Sequence, residues 1–187
     1  MTRIYLVRHA QTDGNLQQHV HGSADLPINQ AGKEQAKMLR EHLRVAPVDI
    51  CAPSFDICIS SPMRRCIETV EILAPENCRI EVDDRLTERG YGVMEGVHFS
   101  QIDYEGFWGA GGQEIFYDGA ETIAQVRARV EDFLRYVKQT YTGKTVLVVS
   151  HGSIARVMRG ILAGQGFCGD YSVLPRTGNC EYLRFEI

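Results

Sequence analysis

Arg3-Ile4-Tyr5-Leu6-Val7-Arg8-His9-Ala10-Gln11-Thr12-Asp13-Gly14-Asn15 is the stretch on which the reading of this chain turns. Ile4 to Val7 form an apolar, β-branched and aromatic run of strand length, suited to a buried pleat. Arg8 and His9 follow with no spacer. A cation and an imidazole at the end of a core strand stand on a rigid base, and buried charge is costly unless it is paired or bound. Taken alone, the pair reads more simply as a solvated strand terminus. The choice depends on whether other strands end in the same way.

Two others do. Thr145-Val146-Leu147-Val148-Val149-Ser150 is the clearest buried strand and runs directly into His151-Gly152. Asp56-Ile57-Cys58-Ile59-Ser60 is another, followed by Ser61-Pro62-Met63-Arg64-Arg65. A serine cap with proline in the first turn predicts a helix opening there. Helical periods recur between the strands. One starts at the cap Asn29, carries Ala36, Leu39 and Leu43, and stops at Pro47. A long one runs from Ala120 through Ile123, Val126, Val130, Phe133, Leu134 and Val137, and a third follows His151 with Ile154, Val157, Met158, Ile161 and Leu162. A short strand near Arg79 to Val82 and a final one within Cys180 to Ile187 complete the pattern.

This alternation predicts an α/β fold, a three-layer α/β/α sandwich around a mainly parallel sheet, as one domain over residues 1–187. Residues 90–119, with Gly109, Gly111 and Gly112 and no sustained period, read as a lid or insertion over the carboxyl edge of the sheet. Ligands of such sheets bind at the carboxyl ends of the strands. Arg8, His9, Arg64 and His151 should therefore meet.

Composition narrows the function. A formal charge of −4 and a pI near 5.9 argue against a nucleic-acid binder. No apolar stretch approaches the roughly 20 residues that span a bilayer, and the strand begins almost at Met1, so a cytoplasmic protein without a signal peptide is expected. The six cysteines (Cys51, Cys58, Cys66, Cys78, Cys168, Cys180) show no C-x-x-C spacing and are read as free core thiols, with no metal site.

Two histidines and two arginines at one sheet edge suggest a phosphate site. Arginine presents a planar fork to phosphate oxygens, and a helix opening at Pro62 would add backbone donors. A neutral imidazole is a competent nucleophile toward phosphorus, and phosphoryl transfer needs mainly in-line positioning and charge stabilisation.

These residues resemble the histidine phosphatase (phosphoglycerate mutase-like) superfamily over most of the chain. Arg8-His9-Ala10 with Thr12 and Asn15 is similar to its R-H-G-x-T-x-x-N, with alanine at the usual glycine. Gly22, Asp25-Leu26-Pro27, Gly32 and Gln35-Ala36 follow its next motif, and Ser60-Ser61-Pro62-Met63-Arg64-Arg65-Cys66-Ile67-Glu68-Thr69 resembles its S-S-P-x-x-R-x-x-x-T. That run leaves a register choice between Arg64 and Arg65; counting back five from Thr69 selects Arg64. Leu86-Thr87-Glu88 with Gly92 and Glu95-Gly96, Gly119-Ala120-Glu121-Thr122, and Val149-Ser150-His151-Gly152 complete the series in order.

The resemblance implies that His9 is the phosphorylated nucleophile, that Arg8, Arg64 and His151 clamp the phosphate, and that Glu88 protonates the leaving oxygen and then activates water. It implies no cofactor. Asn15, His21, Gly22, Tyr91 and Gly152 are candidate substrate contacts beside the clamp. His19, His42 and His98 have no motif partner and read as surface residues; Glu95 reads as orienting its loop, and Trp108 as packing a small satellite core.

Glu88-Arg89-Gly90-Tyr91-Gly92 also resembles the E-R-x-Y-G of phosphoglycerate mutases. Those mutases carry basic residues in a longer lid. Here no lysine or arginine occurs from Gly90 to Val126, whereas Asp103, Glu105, Glu114, Asp118 and Glu121 are acidic. The expectation is thus a metal-independent phosphomonoesterase acting on a small phosphorylated metabolite. A mutase-type phosphotransferase and a non-catalytic phosphate-binding protein are the alternatives, and a homodimer remains open. Tyr91, Phe99, Tyr104, Phe107, Trp108, Phe116 and Tyr117, among those acids, predict selection of a planar, apolar or cationic leaving group.

Overall fold

The structure is a computed structural model that describes residues 1–44, 54–164 and 169–187. Pro47, expected to stop a helix, and Cys51 and Cys168, expected as free thiols, lie outside those residues. The strands are β1 (Arg3–Arg8), β2 (Ile57–Ser60), β3 (Ile80–Val82), β4 (Thr145–Ser150) and β5 (Tyr182–Glu186). They form one sheet in the order β3-β2-β4-β1-β5. β1, β2, β3 and β4 are mutually parallel, and β5 pairs antiparallel to β1 at one edge.

Because side chains alternate across a strand, each central strand feeds two cores. Ile4, Leu6, Ile57, Ile59, Val146 and Val148 point to one face, where α5 (Ile123–Thr140) and α6 (Gly152–Leu162) cover them. Tyr5, Val7, Cys58, Leu147 and Val149 point to the other and meet α2 (Gln30–Arg44) and α3 (Arg64–Leu73), while α1 (Asp13–Leu16) is a single turn in the loop after β1. The layered α/β architecture expected from the sequence is the one observed. All six residues of β4 are buried, as its unbroken apolar run requires.

α2 and α3 start in different ways. Asn29 caps α2 through its side chain, which accepts from the Gly32 N–H at 2.8 Å. The serine-capped start expected at Ser60-Ser61-Pro62 is not observed. α3 begins at Arg64 after Met63, which makes no side-chain cap; the Arg64 N–H is bonded at 2.7 Å by the Asp25 carboxylate, reaching across from the loop after β1. That carboxylate already occupies the anion-favouring end of the helix dipole.

Residues 90–119 hold only short 3₁₀ turns and α4 (Tyr104–Phe107). Their two ends are drawn together by a bridge between Tyr91 and Ala120. Phe107 and Trp108 are fully buried in the larger core, not in a satellite one. Cys58, Cys66, Cys78 and Cys180 are free thiols.

Candidate active site

The sheet topology alone sets two histidines side by side. β1 and β4 are parallel neighbours with Arg8 opposite Ser150, so the next residues, His9 and His151, leave adjacent strand ends. The His9 N–H donates to the Ser150 carbonyl at 2.8 Å, and the two rings lie 5.2 Å apart. Both imidazoles are nearly or wholly inaccessible. Burial, reinforced for His9 by Arg8 and Arg65 and for His151 by Arg65 and His9, holds both well below the ordinary histidine range. Both rings are neutral at pH 7.

Their hydrogen bonds assign the tautomers. His9 Nδ1 lies 2.8 Å from the Ala10 carbonyl, which can only accept, so Nδ1 carries the proton and Nε2 keeps its lone pair. Alanine at this position costs no strain: its φ is negative, and its N–H donates to Thr69 Oγ1 at 3.0 Å. In His151 the order is reversed. Arg65 Nε donates to His151 Nδ1 at 3.2 Å, and Nε2 faces Ser61 Oγ at 2.8 Å. His151 therefore stands behind the cleft as the support of Arg65, with both ring nitrogens engaged.

The arginine of this site is Arg65, not Arg64. Arg64 is the first residue of α3; its side chain is 59% exposed and pairs with Glu68 at 2.7 Å, four residues on. Successive helical residues turn by about 100°, so Arg65 faces the strand ends instead and is 2% exposed. Counting five back from Thr69 gave the wrong face: residues four apart share one. Thr69 Oγ1 indeed donates to the Arg65 carbonyl while accepting from Ala10. The Arg65 guanidinium is held by the carbonyls of Ala24 (2.7 Å), Gly22 (3.0 Å) and His21 (3.3 Å). Gly22 thus serves the site through its backbone and does not line the cleft; its own N–H goes to Glu95.

Arg8 donates from Nη1 to the Thr177 carbonyl at 2.7 Å, while its buried Nε has no partner. Arg8, His9, Asn15, His21, Arg65, Glu88, Tyr91 and Gly152 together line a cleft of about 120 Å³. The loop after β1 is braced by a capping box in which Thr12 and Asn15 bond each other reciprocally. Gly14 lets His21 approach; a Cβ there would lie 2.1 Å from the His21 ring. Glu95 accepts from the N–H groups of Gly22, Ser23 and Tyr91, the loop-orienting part expected of it.

Several cleft residues were not foreseen, Val20 and Ser153 among them. His19, expected on the surface, lines the rim beside His21 and His98. Arg156, Arg176 and Thr177 come from α6 and from the segment before β5. Arg156 did leave a signal, as a cation between the apolar pairs Ile154-Ala155 and Val157-Met158 of α6. Of the residues expected in an aromatic, acidic lid, Tyr91, Phe99 and Tyr104 line the cleft, whereas Asp103, Glu105, Glu114, Asp118 and Glu121 do not. Glu114 and Glu121 are bound to Arg89 and Arg129, and Asp103 caps α4. Among the described residues Glu88 is the one carboxylate lining the cleft.

Comparison with known proteins finds relatives over most of the chain. A family model described as the histidine phosphatase superfamily (branch 1) matches residues 4–183. The uncharacterized phosphatase PhoE of Bacillus subtilis is 32% identical over 166 residues, 88% of this chain and 79% of that protein. The probable phosphoglycerate mutase GpmB of Salmonella choleraesuis is 31% identical over 192 residues, 100% of this chain and 85% of that one. Among solved structures, phosphoserine phosphatase from Entamoeba histolytica in complex with 3-phosphoglyceric acid superposes with a TM-score of 0.82 at 25% identity, covering 100% of this chain and 91% of that one.

Proposed function

This chain belongs to the histidine phosphatase superfamily (branch 1), and from that premise we propose that it hydrolyses a small phosphomonoester with His9 as the transient carrier of the phosphoryl group. The observation that carries this reading is the state of His9: neutral, with Nδ1–H spent on Ala10 and Nε2 left as a lone pair beside Arg8 and Arg65. An imidazole so fixed needs no general base before it attacks.

In the first step His9 Nε2 forms a bond to phosphorus as the bond to the ester oxygen breaks in line. Arg8 and Arg65 take the charge on the equatorial oxygens, and the unpartnered Arg8 Nε is one donor available for them. Glu88 gives its proton to the departing alkoxide. In the second step a water attacks phosphorus, the N–P bond breaks, the Glu88 carboxylate accepts the water's proton, and inorganic phosphate leaves. His151 acts through Arg65, whose fork it holds in register.

Steady-state phosphate release from a panel of phosphomonoesters, for the wild type and His9→Ala, tests the proposal. We expect ping-pong behaviour, an acid-labile phosphoenzyme at His9, and a loss of at least ~10⁴-fold in the variant. Retention of most activity by His9→Ala would overturn it.

A second reading, mutase-type phosphotransfer, is favoured by one feature. The lid without basic residues argued against it, but Arg156 and Arg176 bring positive charge to the cleft from outside the lid. Product analysis separates the two: isomerised phosphoester without phosphate release would favour the mutase.

A further inference from the structure

Of the four arginines lining the cleft, the phosphate chemistry above uses two. Arg156 is 3% exposed, on a helix whose neighbouring residues Ile154, Ala155, Val157 and Met158 are all buried. Its Nη1 donates to the Tyr171 carbonyl at 2.6 Å and, at 3.4 Å, to that of Ser172. Its guanidinium carbon lies 5.4 Å from the ring centre of Tyr104, and that of Arg176 lies 4.0 Å from the same ring. Among the described residues no carboxylate lies within ion-pair distance of either. Two like charges against one aromatic ring, one of them buried, are unfavourable until an anion joins them. Arg156 is held below the usual arginine value by burial, with Arg176 adding to the effect.

A polar group without a partner stands beside them. Thr177 is 2% exposed and lines the cleft, and its Oγ1 is buried with no hydrogen bond. Its carbonyl meanwhile fixes Arg8. The pair Arg176-Thr177 therefore joins the phosphate end to a second cationic end. The two ends are electrostatically distinct: Arg8 and Arg65 are the arginines that depress His9, whereas Arg156 feels Arg176 and Arg159.

We propose that Arg156, Arg176 and Thr177 form a second anion subsite, which binds a carboxylate on the alcohol part of the phosphoester. The inference rests on the phosphatase reading above and names the class of its substrate. A phosphoryl dianion engages Arg8 and Arg65; Arg156 and Arg176 are left to meet a further anion, and the planar fork of arginine matches a carboxylate. A cleft of about 120 Å³ is of the order of the roughly 150 Å³ that holds one benzene. The substrate is thus compact, with phosphate and carboxylate separated by few atoms. The aromatic groups serve as platforms for the chain's own arginines, not for a cationic ligand.

Three compact esters test this: phosphoglycolate, its uncharged amide, and the bisphosphate of ethane-1,2-diol. The wild type should hydrolyse the acid with kcat/KM about 10- to 100-fold above the amide, the effect of a charge-assisted contact. In Arg176→Gln and Thr177→Val the acid-to-amide ratio should fall toward one. Equal rates on acid and amide in the wild type, or a ratio unchanged in active Arg176→Gln, would overturn the subsite. A bisphosphate preferred tenfold over the acid would overturn the carboxylate assignment in favour of a second phosphate. If none of the esters turned over, the phosphatase reading would fail by itself. Calorimetric binding of acid and amide to the His9→Ala protein would still decide the subsite, and equal affinities there would overturn it.

Discussion

Two buried arginines, Arg65 in the cleft and Arg89 at the neck of the 90–119 excursion, show how one residue type serves opposite ends. Arg89 is 0% exposed and meets a carboxylate: Glu114 at 2.7 Å, with the carbonyls of Glu121 and Phe107 completing its donors. It also stacks on Phe107, its guanidinium carbon 3.3 Å from the ring centre. Arg65 is as deeply buried but is surrounded by neutral acceptors, the carbonyls of His21, Gly22 and Ala24 and His151 Nδ1. Neutral acceptors orient a guanidinium without cancelling its charge. Arg89 is therefore neutralised by the fold, and Arg65 keeps its charge for a ligand.

The comparison fixes what should happen when either is removed. Arg89→Met would strand the Glu114 carboxylate, which also accepts from the Ile123 N–H at the start of α5. Breaking a buried ion pair by deleting one partner typically costs about 3–5 kcal/mol. Urea unfolding should show that loss, and a change below about 1 kcal/mol would mean the neck is not the clasp we describe. Arg65→Ala should act on turnover instead. Removing one preorganised donor to a transition-state charge costs about 10²–10³ in rate. Arg65→Lys should recover little, because lysine cannot donate to His151 and to the loop carbonyls at once. An Arg65→Ala protein with near-wild-type kcat/KM would break the comparison.

Acid should expose the same difference in another way. His9 and His151 sit beside the uncancelled charge of Arg65 and are held neutral in the folded protein. The unfolded chain takes up those protons near pH 6.5. Below that value it binds more protons than the native state, so stability falls as pH falls, by up to about 1.4 kcal/mol per pH unit for each ring. Above it the contribution is constant. Thermal unfolding followed from pH 7 to pH 5 should show the decline, and His151→Gln should flatten part of it. The acid limb of kcat/KM should likewise lie below the ordinary imidazole value, and a limb at or above pH 6.5 would contradict a neutral, pre-set His9.

Much of this was legible in the sequence, for physical reasons. Strand periodicity placed Arg8, His9 and His151 because strand ends have definite registers, and the α/β alternation predicts a parallel sheet; that β1 lies beside β4 is seen in the structure. Glu88 was found by motif and does line the cleft. The failures share a cause: they concern which way a side chain points from an irregular start or a long-range partner. The first residue of α3 is set by Asp25 from a distant loop, so local capping signals at Ser60 and Pro62 misled. Arg156 and Arg176 reach the cleft from segments with no local link to Tyr104, the ring they share. Acidic residues in the excursion looked like a ligand-facing surface, because nothing local shows that Glu114 and Glu121 turn toward Arg89 and Arg129.

The smallest expected effect tests the register most directly. Arg64 is adjacent to Arg65 and carries the same charge, yet its guanidinium lies in solvent with Glu68. Exposed i,i+4 pairs contribute about 0.3–0.5 kcal/mol, so Arg64→Ala should lower stability by no more than that. Asp25 bonds the Arg64 backbone N–H, which alanine retains, so the start of α3 and the fork of Arg65 should stay in place. Glu68 also accepts from the Ile28 N–H at 2.9 Å and keeps that bond. We therefore expect kcat/KM within about twofold of wild type, since surface substitutions away from such features usually stay within about 0.5 kcal/mol. A loss of tenfold or more in Arg64→Ala, with Arg65→Ala mild, would reverse the assignment and return the anion site to the face that counting back five from Thr69 selects.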